Sequence, residues 1–226
     1  MITDVNIISF IEDHNKKLES NGHQPMFDVN WIKSVRCAAD AIHESVNQSY
    51  GDGPYLDHLD YVALNAVKAV AEAFDNGMID NAETLPYIKV IIFGCYFHDT
   101  IEDARLTYND VLKQTVKFFN EFSVQHLAAD IVYALTDEKG KTREERHNDK
   151  YYTCIQSILF APFVKMCDIC ANAEYSKRTK SGMFAKYKKE WENKNQDFFA
   201  MCAREKEEIM SPIKKIIYCK LNQLFA

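Results

Sequence analysis

Apolar residues recur at helical spacing along almost the whole chain, and the elements are best taken in order. Residues 4–19 alternate apolar and charged positions three and four apart. From Asp28, a natural N-cap, a stripe of Trp31, Val35, Ala38, Ala39 and Ile42 carries a helix to about Tyr50. Gly51-Asp52-Gly53-Pro54 is the clearest break. A helix then starts near Tyr55, carries His58, Val62, Asn65 and Ala66, and ends in an alanine-rich run near Phe74. Residues 75–83 read as a loop. Thr84 and Pro86 open the next helix, because a proline in the first turn gives up no needed hydrogen bond. That helix runs through the apolar stretch Val90 to Tyr96 and leads to His98.

Thr107-x-x-Asp110 and Thr142-x-x-Glu145 have the form of capping boxes, with a helical pattern from Val124 to Leu135 between them. Pro162 opens a helix carrying Lys165, Asp168 and Asn172. Gly182 interrupts a basic stretch, and a charged amphipathic pattern over about 183–224 breaks again near Ser211-Pro212. There is no strand alternation, internal repeat or low-complexity linker. The pattern predicts an all-α protein with one domain over 1–226. Its core spans about 28–195, and about 196–226 forms a C-terminal helical extension.

Composition changes this picture little. The 226 residues suffice for a sizeable core, and 7 Gly and 5 Pro are few enough to favour helix. A net charge of -6 argues against nucleic acid or an anionic membrane surface as partner. No apolar run approaches the ~20 residues of a membrane span. The first residues lack a signal peptide's basic and apolar regions, so a cytoplasmic location is expected. The 7 Cys are odd in number and lie mostly in apolar stretches, as reduced core residues do. Cys167 and Cys170 form C-x-x-C, without a second pair to complete a zinc site. Nothing in the pattern indicates an oligomer.

The chemistry concentrates where the apolar helix gives out, at Phe97-His98-Asp99-Thr100-Ile101-Glu102-Asp103. One imidazole and three carboxylates at the edge of a core need partners, and a cation would partner all of them. If the helix continues, His98 shares a face with Glu102 and Asp99 with Asp103. One pair is then free to hold a metal while the other handles water and protons. His58 and Asp168 lie on two other helices. Two His and two Asp make an N/O site suited to Mn²⁺, Fe²⁺ or Zn²⁺. Asn172 and Lys165 share the face of Asp168.

The order H…HD…D resembles the HD superfamily of metal-dependent phosphohydrolases, which are helical bundles. Within it, Phe97 to Asp103 is similar to the L-H-D-x-x-E-D segment of the RelA/SpoT-type alarmone hydrolases. Pro54-Tyr55-Leu56-Asp57-His58 resembles their P-Y-I-x-H. Val164 to Asn172 resembles V-K-x-A-D-x-x-x-N, and Leu135-Thr136-Asp137 with Arg143 to Arg146 resembles T-D…E-R. The resemblance covers roughly residues 35–195. It implies that His58, His98, Asp99 and Asp168 hold one Mn²⁺, that Glu102 and Asp103 orient or activate the attacking water, and that Asn172 contacts the ribose. The substrate it implies is guanosine tetra- or pentaphosphate, cleaved to GDP or GTP and pyrophosphate.

A phosphate tail also calls for cations, and Lys165, Lys139, Lys141, Arg143 and Arg146 are candidates. Lys186 falls where the family has a basic-then-Tyr helix. Ahead of Pro54 the family has a basic pair, where this chain has Gln48-Ser49-Tyr50-Gly51; Tyr50 offers a ring for a base instead. Two other readings stay open here. One is an HD hydrolase of another nucleotide, a deoxynucleotide or an adenosine alarmone. The other is a non-catalytic helical protein that binds a nucleotide.

Overall fold

The structure, a computed structural model, describes residues 6–204 and 211–226, with the side chains of 81–85 and 204 outside the description. Asn6 caps α1 (Ile7–Ser20) by accepting from the Ser9 N–H, and Asp28 caps α2 (Val29–Ser45) by accepting from Trp31. The second helix stops short of its expected end at Tyr50. Asn47, at φ 55, turns the chain out of it, and residues 49–54 pair as a small antiparallel hairpin. Its strands are β1 (Ser49–Tyr50) and β2 (Gly53–Pro54). Gly51 at φ 60 supplies the backbone angle its tight turn needs. These are the only strands among the described residues, and the fold is all-α.

α3 (Leu56–Asp75) is the centre of the packing. Ala63, Ala66, Ala69, Ala71 and Ala73 are all buried, and such small residues let neighbouring helices come close. α4 (Asn81–Phe97) begins ahead of its expected start at Pro86, which lies inside it and removes one main-chain donor. Thr84 belongs to the residues whose side chains are outside the description. From Ile88 to Phe97 α4 is buried on nearly every side, which marks a helix inside a core.

α5 (Tyr108–Thr115) starts at a complete capping box. Thr107 accepts from the Asp110 N–H, and the Asp110 carboxylate accepts from the Thr107 N–H. α6 (Phe122–Leu135) packs on α5 and α4. The second box forms only halfway. Thr142 caps the short α7 (Arg143–Arg146), but the Glu145 carboxylate accepts from Lys141 N–H at 2.6 Å instead of reaching its cap.

α8 (Asp149–Ser157) leads to α9 (Ala161–Arg178), with Pro162 in its first turn as expected. α10 (Met183–Glu190) passes through a π turn at Trp191–Asn195 into α11 (Gln196–Arg204), and α12 (Ser211–Phe225) follows. One apolar cluster runs from Ile7 and Ile11 in α1 to Leu221 and Phe225 in α12, so the last helix completes the core against α3 and α9. Inside it, Asp60 of α3 accepts from Arg36 of α2 at 2.8 Å and from the Tyr96 hydroxyl of α4 at 2.9 Å. That buried junction fixes three helices against one another. No single helix among the described residues is long and apolar enough to cross a membrane.

Gly94 sits where α4 meets α6 and α9 most closely. A Cβ there would lie 2.9 Å from Ile131 Cγ2 and 3.4 Å from Val164 Cγ2. Gly94→Val is expected to lower stability by about 1–3 kcal/mol through overpacking, read from urea denaturation midpoints.

Candidate metal centre

Three elements bring the chemistry together. α3 presents His58 from its first turn, α9 presents Asp168 from its middle, and α4 delivers His98 and Asp99 just past its last residue. The helix does not continue through Asp103, as the sequence suggests. The Thr100 N–H and hydroxyl both bond the Phe97 carbonyl, at 3.0 and 2.7 Å, and end it there. One helical bond survives beyond, from Asp103 N–H to Asp99 C=O at 2.8 Å. Residues 98–103 are therefore a turn that keeps Asp103 one helical step from Asp99.

His58 Nε2 and His98 Nε2 face each other at 3.3 Å. Asp99 Oδ2 lies 2.9 Å from His98 Nε2 and 3.6 Å from His58 Nε2. Asp168 Oδ1 lies 3.4 and 3.7 Å from the same two nitrogens. Ligands at about 2.1 Å from one cation stand roughly 3.0–3.4 Å from their neighbours, and the spacings among His58, His98 and Asp99 suit a common metal ion. The tightest part is the triad of His58, His98 and Asp99, whose ligand atoms lie within 4.8 Å of one another, and Asp168 joins through the imidazoles.

His98 Nδ1 lies 2.9 Å from the Cys95 carbonyl. A carbonyl only accepts, so Nδ1 carries the proton and donates, which is the arrangement that aims Nε2 at a metal. The donor set, two imidazoles and two carboxylates, fits Mn²⁺, Fe²⁺ or Zn²⁺.

The same four groups set one another's protonation. Burial opposes a charged imidazole, yet Asp99 and Asp168 outweigh it, lifting His58 and raising His98 to about 10. Burial likewise opposes the carboxylates, but the imidazoles hold Asp99 far below the usual range. Lys165, at 2.9 Å, joins the imidazoles in doing so for Asp168. A divalent cation held here would supply that counter-charge without the protons and so displace them.

The centre is closed inward and open on one side. The side chains of His58 and His98 are 2% and 1% exposed, whereas that of Asp99 is 21% exposed. Glu102 stands at this open rim, where surrounding protein and then the carboxylates of Asp137 and Asp99 push its pKa up. Asp103 is also pushed up, by burial and by Asp99.

Among the expected substrate residues, Lys165, Asn172 and Tyr50 sit at the centre. Lys165 bonds Asp168, Asn172 Nδ2 donates to Asp168 Oδ1 at 2.6 Å, and the Tyr50 hydroxyl donates to Asn172 Oδ1 at 3.1 Å. The remaining cations are placed differently. Arg143 pairs with Glu190 at 3.0 Å, Arg146 donates to Asp137 at 2.8 Å, and Lys139, Lys141 and Lys186 are exposed.

Three features carry no signal in the sequence pattern. The Tyr55 hydroxyl donates to Asp99 Oδ2. The His43 ring stacks on Tyr55 with centroids 4.5 Å apart; its buried nitrogens have no hydrogen-bond partner, and burial lowers its pKa to about 4. The third is a hub at His147, whose Nε2 is 2.9 Å from Asp137 and whose Nδ1 is 2.8 Å from Glu190. It braces the loop whose Asp137 N–H reaches Glu102 at 3.4 Å.

The cysteines divide by burial. Cys95, Cys167 and Cys170 are buried, and burial pushes their thiols up, with Cys170 at about 12. Buried, protonated thiols of this kind are poor nucleophiles and pack as core groups.

Asp137 supplies a pH test of the hub. Although burial opposes it, His147 and Arg146 lower its pKa to about 2, below the ordinary 3.8. A depressed carboxylate stabilises the fold above its unfolded pKa and loses that contribution as pH falls through the folded value. Asp137→Asn is therefore expected to cost about 2 kcal/mol near pH 7, with the gap to the unaltered chain closing between about pH 4 and 2 in urea titrations. No protein-family model, curated protein or solved structure matches this chain significantly.

Proposed function

We propose that the chain is an HD-type, metal-dependent phosphohydrolase acting on a nucleotide. In the reading we favour, guanosine 3′,5′-bis(diphosphate) or its 5′-triphosphate counterpart is cleaved to GDP or GTP and pyrophosphate. The observation that carries this is the triad of His58, His98 and Asp99, whose ligand atoms lie within 4.8 Å of one another, with Asp168 Oδ1 3.4 Å from His58 Nε2 beside it. The resemblance of the four motif segments to RelA/SpoT-type hydrolases supports the substrate. Mn²⁺ is the favoured ion, with Fe²⁺ and Zn²⁺ as alternatives.

A cation held by these ligands lowers the pKa of water and offsets charge on the phosphoryl oxygens. The protein's part is orientation and proton transfer. Glu102 and Asp103 stand on the side where Asp99 meets solvent, and both have raised pKa values, which suits carboxylates that take a proton from the attacking water. The bond between phosphorus and the ribose 3′ oxygen breaks. The water oxygen leaves with pyrophosphate, and a proton reaches the 3′ oxygen.

One observation favours a second reading, the same chemistry on a deoxynucleotide or an adenosine alarmone. The hairpin beside the centre and the residue before it carry Gln48, Ser49 and Tyr50 where the resembled family has a basic pair.

Pyrophosphate release from a nucleotide panel tests the proposal. The Mn²⁺-loaded protein is expected to prefer guanosine tetraphosphate, to lose activity in EDTA, and to be inactive as Asp99→Ala. Full activity in EDTA contradicts the metal chemistry. Preference for another nucleotide selects the second reading, and failure to cleave any leaves a binding protein. Glu102→Gln should lower kcat by about 10²–10⁴. Because the Glu102 pKa is raised, the base form appears later, so the unaltered enzyme's activity should climb with pH above the ordinary carboxylate range. The Gln variant should lose that limb.

A further inference from the structure

Two tyrosines in and beside the hairpin reach the carboxylates of the centre from outside, one directly and one through an amide. Tyr55, the residue before α3, donates its hydroxyl to Asp99 Oδ2, the oxygen that faces His98. Tyr50, in β1, acts at one remove. The Asp168 carboxylate only accepts, so the amide end that faces it is Nδ2, and the Tyr50 hydroxyl donates to Oδ1 at the other end. Nδ2 then holds Asp168 Oδ1, the oxygen that faces both imidazoles, while Lys165 holds Oδ2. Asp168 is thus fixed at both oxygens, and each end of the Asn172 amide is engaged within the protein.

The hairpin is itself seated firmly. At Gly51 a Cβ would lie 2.0 Å from the Tyr175 hydroxyl, so the turn rests directly on α9. The Tyr50 ring lies 4.3 Å from the Tyr175 ring and 4.9 Å from that of His58. Tyr55 is buried against His43. Burial pushes both phenols upward, so each stays a neutral donor.

We infer that this hairpin frames the metal centre, with Tyr50 and Tyr55 as positioning residues that set carboxylate geometry, and so cation affinity, without touching the cation. The inference rests on the metal reading proposed above. Groups that hydrogen-bond a metal ligand typically change metal affinity by about 10–100-fold when removed. Through Asn172, Tyr50 belongs to the chain that orients Asp168.

The test is Mn²⁺ affinity, measured by calorimetry on the full chain and on Tyr50→Phe and Tyr55→Phe, which keep the rings and remove only the hydroxyls. Each is expected to weaken Mn²⁺ binding about tenfold or more, with the melting temperature in EDTA close to that of the unaltered chain. Asn172→Ala supplies a second route along the same arm. Combined with Tyr50→Phe it should weaken binding little beyond Asn172→Ala alone, the non-additivity expected of residues acting in series. Unchanged affinity in both tyrosine variants overturns the inference. Absence of Mn²⁺ binding by the unaltered chain instead overturns the metal reading, and is seen before any variant is compared.

Discussion

Two imidazoles and two carboxylates crowd together among α3, α4 and α9, and the surrounding structure answers to that concentration of charge. Isolated charges in such a place are strongly unfavourable, and removing one partner of a buried pair leaves the other uncompensated. The four groups therefore come with an outer set of contacts. Cys95 fixes the His98 tautomer, Tyr55 and Lys165 each take a carboxylate oxygen, and Asn172 takes another. The divalent cation proposed for this site would complete the charge balance at the centre of that set.

The helices serve the same end. From Ile88 to Phe97 α4 is apolar almost all round, so this stretch is buried on nearly every side and carries His98 to a buried position before Thr100 stops it. α3 is lined with alanines, which lets α4 and α9 approach closely enough for ligands from three helices to meet. In the otherwise buried α9, Lys165, Asp168 and Asn172 lie three and four residues apart, making one polar stripe that faces the centre. The Arg36–Asp60–Tyr96 junction holds α2, α3 and α4 in a fixed relation two residues beyond His58.

Much of this was readable before the fold, and the exceptions have physical reasons. Helical periodicity located α3, α4, α6 and α9, and the i, i+3, i+4 relations placed Lys165 and Asn172 beside Asp168. Element ends were harder. α2 extends in pattern to Tyr50, yet Asn47 turns the chain and a hairpin replaces the last helical turn. Pro86 reads as a helix start but is tolerated inside α4. Helical continuation to Asp103 is a reasonable reading of His98-Asp99-Thr100-Ile101-Glu102-Asp103, but Thr100 competes for the Phe97 carbonyl. The His147 hub and the Tyr50–Asn172 link join residues far apart in sequence, 10 and 43 in one case and 122 in the other, and no local pattern announces such contacts. Charge composition was the weakest guide, since Arg143 and Arg146 are engaged by Glu190 and Asp137.

The central claim is that these four side chains share one divalent cation. Anomalous scattering at the manganese edge, from crystals grown with Mn²⁺, tests it at the level of single atoms. The account predicts one strong peak at about 2.0–2.3 Å from His58 Nε2, His98 Nε2, an Asp99 oxygen and Asp168 Oδ1. A featureless map at that point, or a peak coordinated by other residues, contradicts it.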